Sequence, residues 1–497
     1  MASTKFGFET QPIRDFANRI WLDCRNLILR LNGAVHLLVK FPFSQTGWLM
    51  VAMFLLLRPP PLAAQERPLL RHMDNRAPVN VQAAEKHGIR GYPSKRLLLY
   101  TDIEPEKARE LVKLVDQVYA TWEFQFGPLP EARDKSEFQI TGYLMKDPAK
   151  FEKANLHHKH LNLANIIHGQ NDGYAFWMQE QEWDYYREHL LLHEATHCVT
   201  QCREEEGDER RPLWFIEGMA EYFGTHELTG EGPPPENRLR FGIIPASAEA
   251  AHGFGRIELI RAECEAGRTL SAADVQKLGA KEFSESRTTP YAWSWALCHF
   301  LATHPTTSAD YRSVCHQWES AEFHRELMKF WSKHKLVIES DWEVFRQSLC
   351  YGFDLSRGAT VRGEVNPLEQ GATREVRVEA ARGWQSTGIA VTAGQRIKII
   401  ATGRVVLAQT TKPWESEPQG ISIRYSEGKP IGRLLGAVQR VTLAEAGPIR
   451  QWEFFDIGPE GTQTMPAPGT LYLRVNDRWN ELADNTGDYR VTVSAVE

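Results

Sequence analysis

The apolar and polar residues follow two different patterns along this chain of 497 residues. In residues 94–353, stretches with a helical period of apolar positions alternate with short apolar runs, and this alternation is typical of an α+β domain. Arg96–Tyr100 and Phe138–Met145 are predicted strands, whereas Glu104–Phe124 has the spacing of an amphipathic helix. This part of the chain is therefore predicted to form one domain that contains both helices and a sheet.

Beyond residue 353 the pattern changes to short β-rich runs that are separated by turn residues. The runs are Ile397–Ala401, Leu471–Val475 and Tyr489–Val493. Their spacing predicts an all-β sandwich over residues 375–497. Gly and Pro residues in the stretch 354–374 predict a linker. The expected fold class is multidomain, with an α+β domain followed by a β-sandwich.

The N-terminal part of the chain has the features of an export signal. Residues 47–57 form an apolar run that follows several Lys and Arg residues and precedes the small-residue stretch Leu62–Gln65. The run is shorter than the about 20 residues that a membrane-spanning helix needs. Residues 1–65 are predicted to be a leader with a signal peptide of a secreted, periplasmic or cell-surface protein. An uncleaved N-terminal anchor is the alternative, and residues 66–93 are expected to be loop-like.

The net charge of the chain bears on whether it binds nucleic acid. The net charge is −6 at pH 7. Nucleic-acid-binding proteins concentrate basic residues, so this balance gives no indication of a nucleic-acid partner.

The motif H-E-A-T-H at residues 193–197 is the strongest chemical signal in the chain. Trp183–Cys202 contains no Pro or Gly, so the motif is predicted to lie on a helix. The i, i+4 spacing places His193 and His197 on one helix face, where both imidazoles can bind one metal ion. Neutral imidazole suits zinc, and a tetrahedral site then needs a third protein ligand and a water molecule.

Glu217 is the candidate for the third ligand. It lies in W-F-I-E-G-M-A-E-Y-F at residues 214–223, a predicted second helix with Pro212 near its start. Glu221 follows one turn later on the same face. Glu194 lies between the two histidines and is expected to take a proton from a metal-bound water and pass it to a leaving amine. These residue types at this spacing predict the hydrolysis of peptide bonds.

The two motifs together resemble the gluzincin clan of zinc metallopeptidases, in particular its peptidase MA-like bacterial members, over about residues 96–311. The resemblance implies an α+β zincin-type fold and a peptide or protein substrate. It implies His193, His197 and Glu217 as ligands of one catalytic zinc ion, with Glu194 as the general base.

Further roles follow from the same resemblance. Glu221 occupies the position of an acidic residue that hydrogen-bonds a ligand histidine. Tyr291, at the start of a predicted helix, is a candidate donor to the tetrahedral oxyanion, and the alternative is a role in the core. Zincins bind extended substrate along an edge strand of the sheet. The candidate edge strand consists of Gly173, Tyr174, Ala175, Phe176 and Trp177.

The predicted β-sandwich contains a cluster of oxygen-bearing side chains between two strands. The cluster consists of Asp477, Glu481, Asp484 and Asn485. Calcium prefers such hard oxygen ligands, so the loop is a candidate calcium site. A polar turn without an ion is the alternative.

The domain contains W-Q-S-T-G at residues 384–388, T-A-G-Q-R-I at 392–397 and L-Y-L-R-V-N-D at 471–477. In this order the motifs resemble the calcium-dependent, galactose-binding bacterial lectin called PA-IL. By this resemblance Asp477, Asp484 and Asn485 match side-chain ligands of calcium, and Leu407 would contribute a backbone carbonyl. Glu481 replaces a Thr of the family. Gln419 matches a sugar-contacting position, whereas Ser416 stands where the family has a His. The resemblance implies a galactose-binding-like sandwich with a possible glycan ligand.

Three functions are compatible with the sequence. The first is an exported zinc peptidase with a carbohydrate- or surface-binding β-domain. The second is a catalytically silent zincin scaffold, which the intact Glu194 disfavours. In the third, lectin-like binding by the C-terminal domain is the primary function. The first is the prediction that we follow here.

Overall fold

The computed structural model describes most of the chain beyond residue 69. The described ranges are 70–74, 76–158, 161–166, 168–203, 211–228, 239–286, 288–444 and 447–497. Leu69–Glu497 form one compact unit. The predicted leader, residues 1–65, lies outside the described residues. In the described ranges, every helix is too short or too polar to cross a membrane.

A five-stranded mixed sheet forms the N-terminal layer of this unit, with the strand order β1-β2-β3-β5-β4. Its strands are β1 (Arg90–Pro93), β2 (Leu97–Thr101), β3 (Ile140–Met145), β4 (Gly169–Asp172) and β5 (Ala175–Gln179). The central strands β2, β3 and β5 are parallel, whereas β1 and β4 are antiparallel to their neighbours. Strands β2 and β3 lie where the sequence pattern predicts strands.

Two expectations about this layer are wrong. Residues 66–93 are not only loop, because they contain strand β1 and a helix at Val81–Lys86 that is capped by the Asn80 side chain. The predicted edge strand Gly173–Trp177 is not at the edge, because β5 pairs with β3 on one side and β4 on the other. Gly173 has a φ of 57° and lets the chain turn between β4 and β5. The polar strand β4 is therefore the edge strand on this side of the sheet.

Helices pack on both faces of the sheet and continue to residue 358. They are α1 (Val81–Lys86), α2 (Pro105–Phe126), α3 (Pro148–Lys153), α4 (Asp184–Arg203), α5 (Leu213–Gly224), α6 (Arg256–Glu265), α7 (Ala272–Val275), α8 (Ala280–Glu285), α9 (Thr289–Thr303), α10 (Ser308–Cys315), α11 (Phe323–Ser348) and α12 (Leu355–Gly358). A short antiparallel pair of strands, β6 (His226–Leu228) and β7 (Leu239–Phe241), follows α5. Helix α5 packs against both α4 and α9, and this packing positions the candidate site.

The C-terminal part of the chain is all-β. Its strands are β8 (Asn366–Pro367), β9 (Thr373–Glu379), β10 (Gln385–Val391), β11 (Arg396–Thr402), β12 (Val405–Val406), β13 (Glu415–Ser416), β14 (Ile421–Ser426), β15 (Lys429–Ile431), β16 (Leu434–Ala444), β17 (Gly447–Asp456), β18 (Glu460–Thr464), β19 (Gly469–Val475) and β20 (Asp488–Val496). The sheets β17-β16-β19-β10-β8 and β18-β11-β20-β9 enclose a common apolar core. Alternate residues along these strands face that core.

The outer face of the five-stranded β17-β16-β19-β10-β8 sheet packs against helix α11. The indole Nε1 of Trp452 donates to the Ser340 carbonyl at 2.9 Å, and Tyr472 belongs to the same buried cluster as the helical core. The stretch predicted as a linker, 354–374, begins with α12, and Arg362 in this stretch forms an ion pair with the buried Asp341 of α11. The β part is thus docked on the α+β part through apolar and ionic contacts.

We expect Trp452→Ala to reduce the free energy of unfolding by about 3 kcal/mol, because the substitution empties a buried site between α11 and the sheet. Phe454→Ala is a control on the same strand and face, since Phe454 is 49% exposed. Urea-induced unfolding followed by circular dichroism measures both values. Equal losses in the two variants would contradict the docking described here.

Candidate functional site

The two predicted histidines and Glu217 converge between α4 and α5. The Nε2 atoms of His193 and His197 lie 3.0 Å apart. Oε2 of Glu217 lies 3.5 Å from Nε2 of His193 and 3.3 Å from Nε2 of His197. Ligand atoms held about 2.1 Å from a tetrahedral zinc ion are about 3.4 Å from one another. The three atoms therefore have the chemistry and the spacing of a zinc ligand set.

The local sequence explains why these atoms meet. Helix α4 carries His193 and His197 one turn apart on a buried face. Helix α5 approaches α9 closely at Gly218, where a Cβ atom would lie only 2.6 Å from the Ser294 carbonyl oxygen and from Cys298 Sγ. A larger residue would push α5 away from α9. Gly218 thus helps to fix the position of the adjacent Glu217.

Glu221 lies behind the ligand set in a buried ionic cluster. Its Oε1 is 3.4 Å from Nδ1 of His193, as expected for a residue that orients a ligand histidine. Its Oε2 is 3.1 Å from Nε2 of His189. Arg256 donates from Nη2 to Oε1 at 2.9 Å and from Nε to Oε2 at 3.0 Å. The carboxylate of Glu221 is therefore held by one guanidinium and two imidazoles.

Glu194 lies beneath the edge strand β4. A Cβ atom at Gly169 would be 2.3 Å from Oε1 of Glu194, so only glycine allows β4 to pass this close. Nδ2 of Asn171, two residues later on β4, donates to Oε2 of Glu194 at 3.2 Å. Glu194 is only 4% exposed. The strand next to the candidate base is thus β4 and not the predicted Gly173–Trp177.

Burial and neighbouring charge affect the two carboxylates differently. Burial raises the pKa of Glu194, and the neighbouring His193 and His197 offset this rise only in part. Burial also opposes ionisation of Glu217, but His197 and His193 hold its pKa at about 2. Glu217 is therefore an anion that can hold a cation, whereas Glu194 is suited to accept a proton.

Tyr291 lies beside the ligand set at the start of α9. Its ring centroid is 6.2 Å from the His193 ring, and the ring packs edge-on against Phe283 at 4.8 Å. Burial raises the pKa of Tyr291 above its usual value, so its hydroxyl stays protonated and can donate a hydrogen bond. The role of Tyr291 as a donor to an oxyanion remains a prediction.

Asp477 and Asn485 meet at one end of the β-sandwich. Nδ2 of Asn485 donates to Oδ2 of Asp477 at 3.0 Å and to the Ala380 carbonyl at 3.1 Å. The remaining Oδ1 of Asn485 is buried and has no hydrogen-bond partner. Burial raises the pKa of Asp477 to about 6. A buried oxygen without a partner is costly, so this pair is suited to bind a cation.

Two other residues of the predicted calcium site, Leu407 and Asp484, lie on segments next to this pair in the fold. Leu407 follows Val406, which pairs with Thr486 through two backbone hydrogen bonds. This pairing brings the Leu407 segment close to the segment of Asn485. Asp484 precedes Asn485 and is exposed.

Glu481, a further predicted calcium ligand, is paired with two arginines. Its Oε2 forms an ion pair with Arg424, and its Oε1 lies 3.6 Å from Nη1 of Arg478. Two guanidinium groups already compensate this carboxylate. Gln419, the predicted sugar contact, is exposed, and its Nε2 donates to Oε2 of Glu417 at 3.2 Å.

Three residues of the candidate peptidase site were not identified from the sequence. His189 had a detectable signal, because it precedes His193 by four residues and so shares its helix face. Asn171 lies on β4, so its position near Glu194 could be predicted only if β4 had been identified as the edge strand. Arg256 lies 35 residues from Glu221, and no local spacing indicates their contact.

No protein-family model matches this chain, and comparison with curated proteins gives no match. Among solved structures, the EclA N-terminal domain, a PllA-like lectin, is 26% identical and covers 24% of this chain and 95% of its own, with a TM-score of 0.19. PliG of Aeromonas hydrophila, a periplasmic inhibitor of g-type lysozyme, is 12% identical and covers 27% of this chain and 98% of its own, with a TM-score of 0.16. These scores are too low to support an argument about function.

We expect Glu221→Gln to reduce the free energy of unfolding by about 3 kcal/mol, because it leaves the buried guanidinium of Arg256 without its charge partner. Arg256→Met should cost a similar amount, since it leaves Glu221 unpaired. The double variant should be more stable than either single variant. Urea unfolding in excess chelator measures this coupling without a metal contribution, and additive losses would show that the pair is not coupled.

Proposed function

We propose that this chain is a zinc-dependent peptidase that hydrolyses peptide bonds. The observation that carries the proposal is the convergence of ligand atoms from His193, His197 and Glu217 beside the buried carboxylate of Glu194. When bound by these ligands, zinc would lower the pKa of a water molecule and polarise a peptide carbonyl.

Each of the surrounding residues has a role in this proposal. Glu194 accepts the proton of the attacking water and returns it to the leaving amine, a role that its raised pKa supports. The hydroxyl of Tyr291 donates to the oxyanion. The edge strand β4 has a free side in the described sheet, and an extended peptide can pair with it. Peptide or protein is therefore the proposed substrate, and export is the proposed localisation.

Substitutions of the zinc ligands and of the general base should have different effects on zinc content and on catalysis. We expect His193→Ala, His197→Ala and Glu217→Ala to lose zinc, because each removes a ligand. Glu194→Gln should keep about one zinc per chain and lose several orders of magnitude in kcat. Elemental analysis and cleavage of a defined peptide library measure the two properties. Glu182→Gln is the matched control for Glu194→Gln, because Glu182 is an exposed residue next to α4, and it should change neither property.

Stoichiometric zinc in His193→Ala would contradict the ligand assignment. A wild-type protein that binds zinc but cleaves no peptide would favour the catalytically silent scaffold.

We further propose that the β-sandwich binds calcium at Asp477 and Asn485, with the Leu407 carbonyl and Asp484 as additional ligands. The buried, unpartnered Oδ1 of Asn485 next to the carboxylate of Asp477 supports this proposal. A carbohydrate or surface ligand is proposed for the same end of the sandwich, where Gln419 is exposed. Lectin-like binding as the primary function is the alternative.

Calcium should raise the melting temperature of the protein, because it binds the native loop better than the unfolded chain. At 100 times its Kd it should add about 2.7 kcal/mol. Magnesium should have little effect, since it requires a tighter octahedron of ligands. Asp477→Ala combined with Asp484→Ala should abolish the response, whereas Glu481→Gln should keep it. An equal melting temperature in millimolar calcium and in chelator would exclude the site.

A further inference from the structure

We infer that Gln201 and Asn171 are positioning residues that hold the carboxylate of Glu194 for catalysis, an inference that rests on the proposed peptidase function. Gln201 lies on α4, one turn beyond His197 and two turns beyond His193, so the three side chains share one helix face. Asn171 lies on the edge strand β4. Together the two amides connect the helix, the edge strand and the base.

Three hydrogen bonds form a continuous chain to Glu194. The backbone N–H of Gly173 donates to Oε1 of Gln201 at 2.8 Å. Nε2 of Gln201 donates to Oδ1 of Asn171 at 2.5 Å. Nδ2 of Asn171 donates to Oε2 of Glu194 at 3.2 Å.

The backbone N–H of Gly173 begins this series of hydrogen bonds and fixes which group donates in each of them. A backbone N–H can only donate, so Oε1 of Gln201 must face Gly173 and its NH2 group must face Asn171. Asn171 then presents its carbonyl oxygen to Gln201 and its NH2 group to Glu194. Gln201 thus determines that Glu194 meets a donor and not a second acceptor, which would repel the carboxylate.

This arrangement holds one carboxylate oxygen and leaves the other for proton transfer. Oε2 of Glu194 accepts from Asn171, while Oε1 lies under the backbone of Gly169 at the edge where the peptide is proposed to bind. A base positioned in this way keeps its orientation before substrate arrives. The same series of hydrogen bonds connects β4 and the adjacent Gly173 to α4, so the edge strand and Glu194 are positioned together.

The side chain of Gln201 is exposed, so its replacement is not expected to disturb the core. Gln201→Glu is the decisive variant. The new carboxylate still accepts from Gly173, but it cannot donate to Asn171. The Asn171 amide should therefore turn its NH2 group toward residue 201 and its carbonyl oxygen toward Glu194. The shape of the side chain and its bond to Gly173 are preserved, while the other two hydrogen bonds reverse their direction and one negative charge is added.

The experiment compares four zinc-loaded, full-length proteins on the fastest-cleaved peptide of a defined library. The proteins are the wild type, Gln201→Glu, Gln201→Ala and the control Gln181→Glu, which adds the same charge outside the site. We expect kcat to fall roughly 10- to 100-fold in both Gln201 variants with KM unchanged, and to stay at the wild-type value in the control. All four should bind about one zinc.

Hydrogen–deuterium exchange distinguishes the positioning of Glu194 through Asn171 from the tethering of Gly173 to Gln201. The Gly173 amide should exchange faster in Gln201→Ala, which lacks the acceptor, but not in Gln201→Glu, which retains it. Loss of kcat in Gln201→Glu with a protected Gly173 amide would therefore support positioning through Asn171.

Two results would overturn the inference, and they can be told apart. If the wild type cleaves peptides and Gln201→Glu has the same kcat, the positioning role is wrong while the peptidase proposal stands. If the zinc-loaded wild type cleaves no peptide of the library, the peptidase proposal fails, and the positioning role fails with it.

Discussion

The candidate site depends on one physical constraint, the cost of burying several carboxylates close together. Buried carboxylates are unfavourable unless a positive charge or a proton compensates them. Glu221 is compensated by Arg256, and Glu217 by the two histidines of the motif. Glu194 is instead left with a raised pKa. These three environments fit the three roles proposed above, in which Glu221 would orient a ligand histidine, Glu217 would bind a cation and Glu194 would accept a proton.

Compensation over such short distances requires the backbone segments to approach closely. Two glycines permit this on opposite sides of the site. Gly169 allows the edge strand to pass over Glu194, and Gly218 allows α5 to lie against α9. Neither glycine contributes a functional group. Their contribution is steric, because a Cβ atom at either position would overlap with a neighbouring residue and separate the elements that carry the charged groups.

The features that could be predicted from the sequence are those that depend on local spacing. The positions of His193 and His197 follow from the helical repeat, and the strands β2 and β3 follow from their apolar runs. The edge strand could not be predicted, because its identity depends on which strands pair with each other. The segment predicted as the edge contains β5, whose apolar residues reflect its internal position in the sheet. The contact of Arg256 with Glu221 arises from packing between distant helices and has no local signature.

The β part of the chain contacts the α+β part more closely than the linker predicted at residues 354–374 would suggest. Arg474 is fully buried, donates to the Asp477 carbonyl at 2.6 Å and stacks over Trp479 at 3.5 Å. Trp479 in turn stacks on Phe353 of the α+β part, with ring centroids 5.8 Å apart. An isolated sandwich would expose Trp452 and Trp479, and large exposed apolar faces favour association. The loop of Asp477 therefore owes part of its conformation to the α+β part on which it packs.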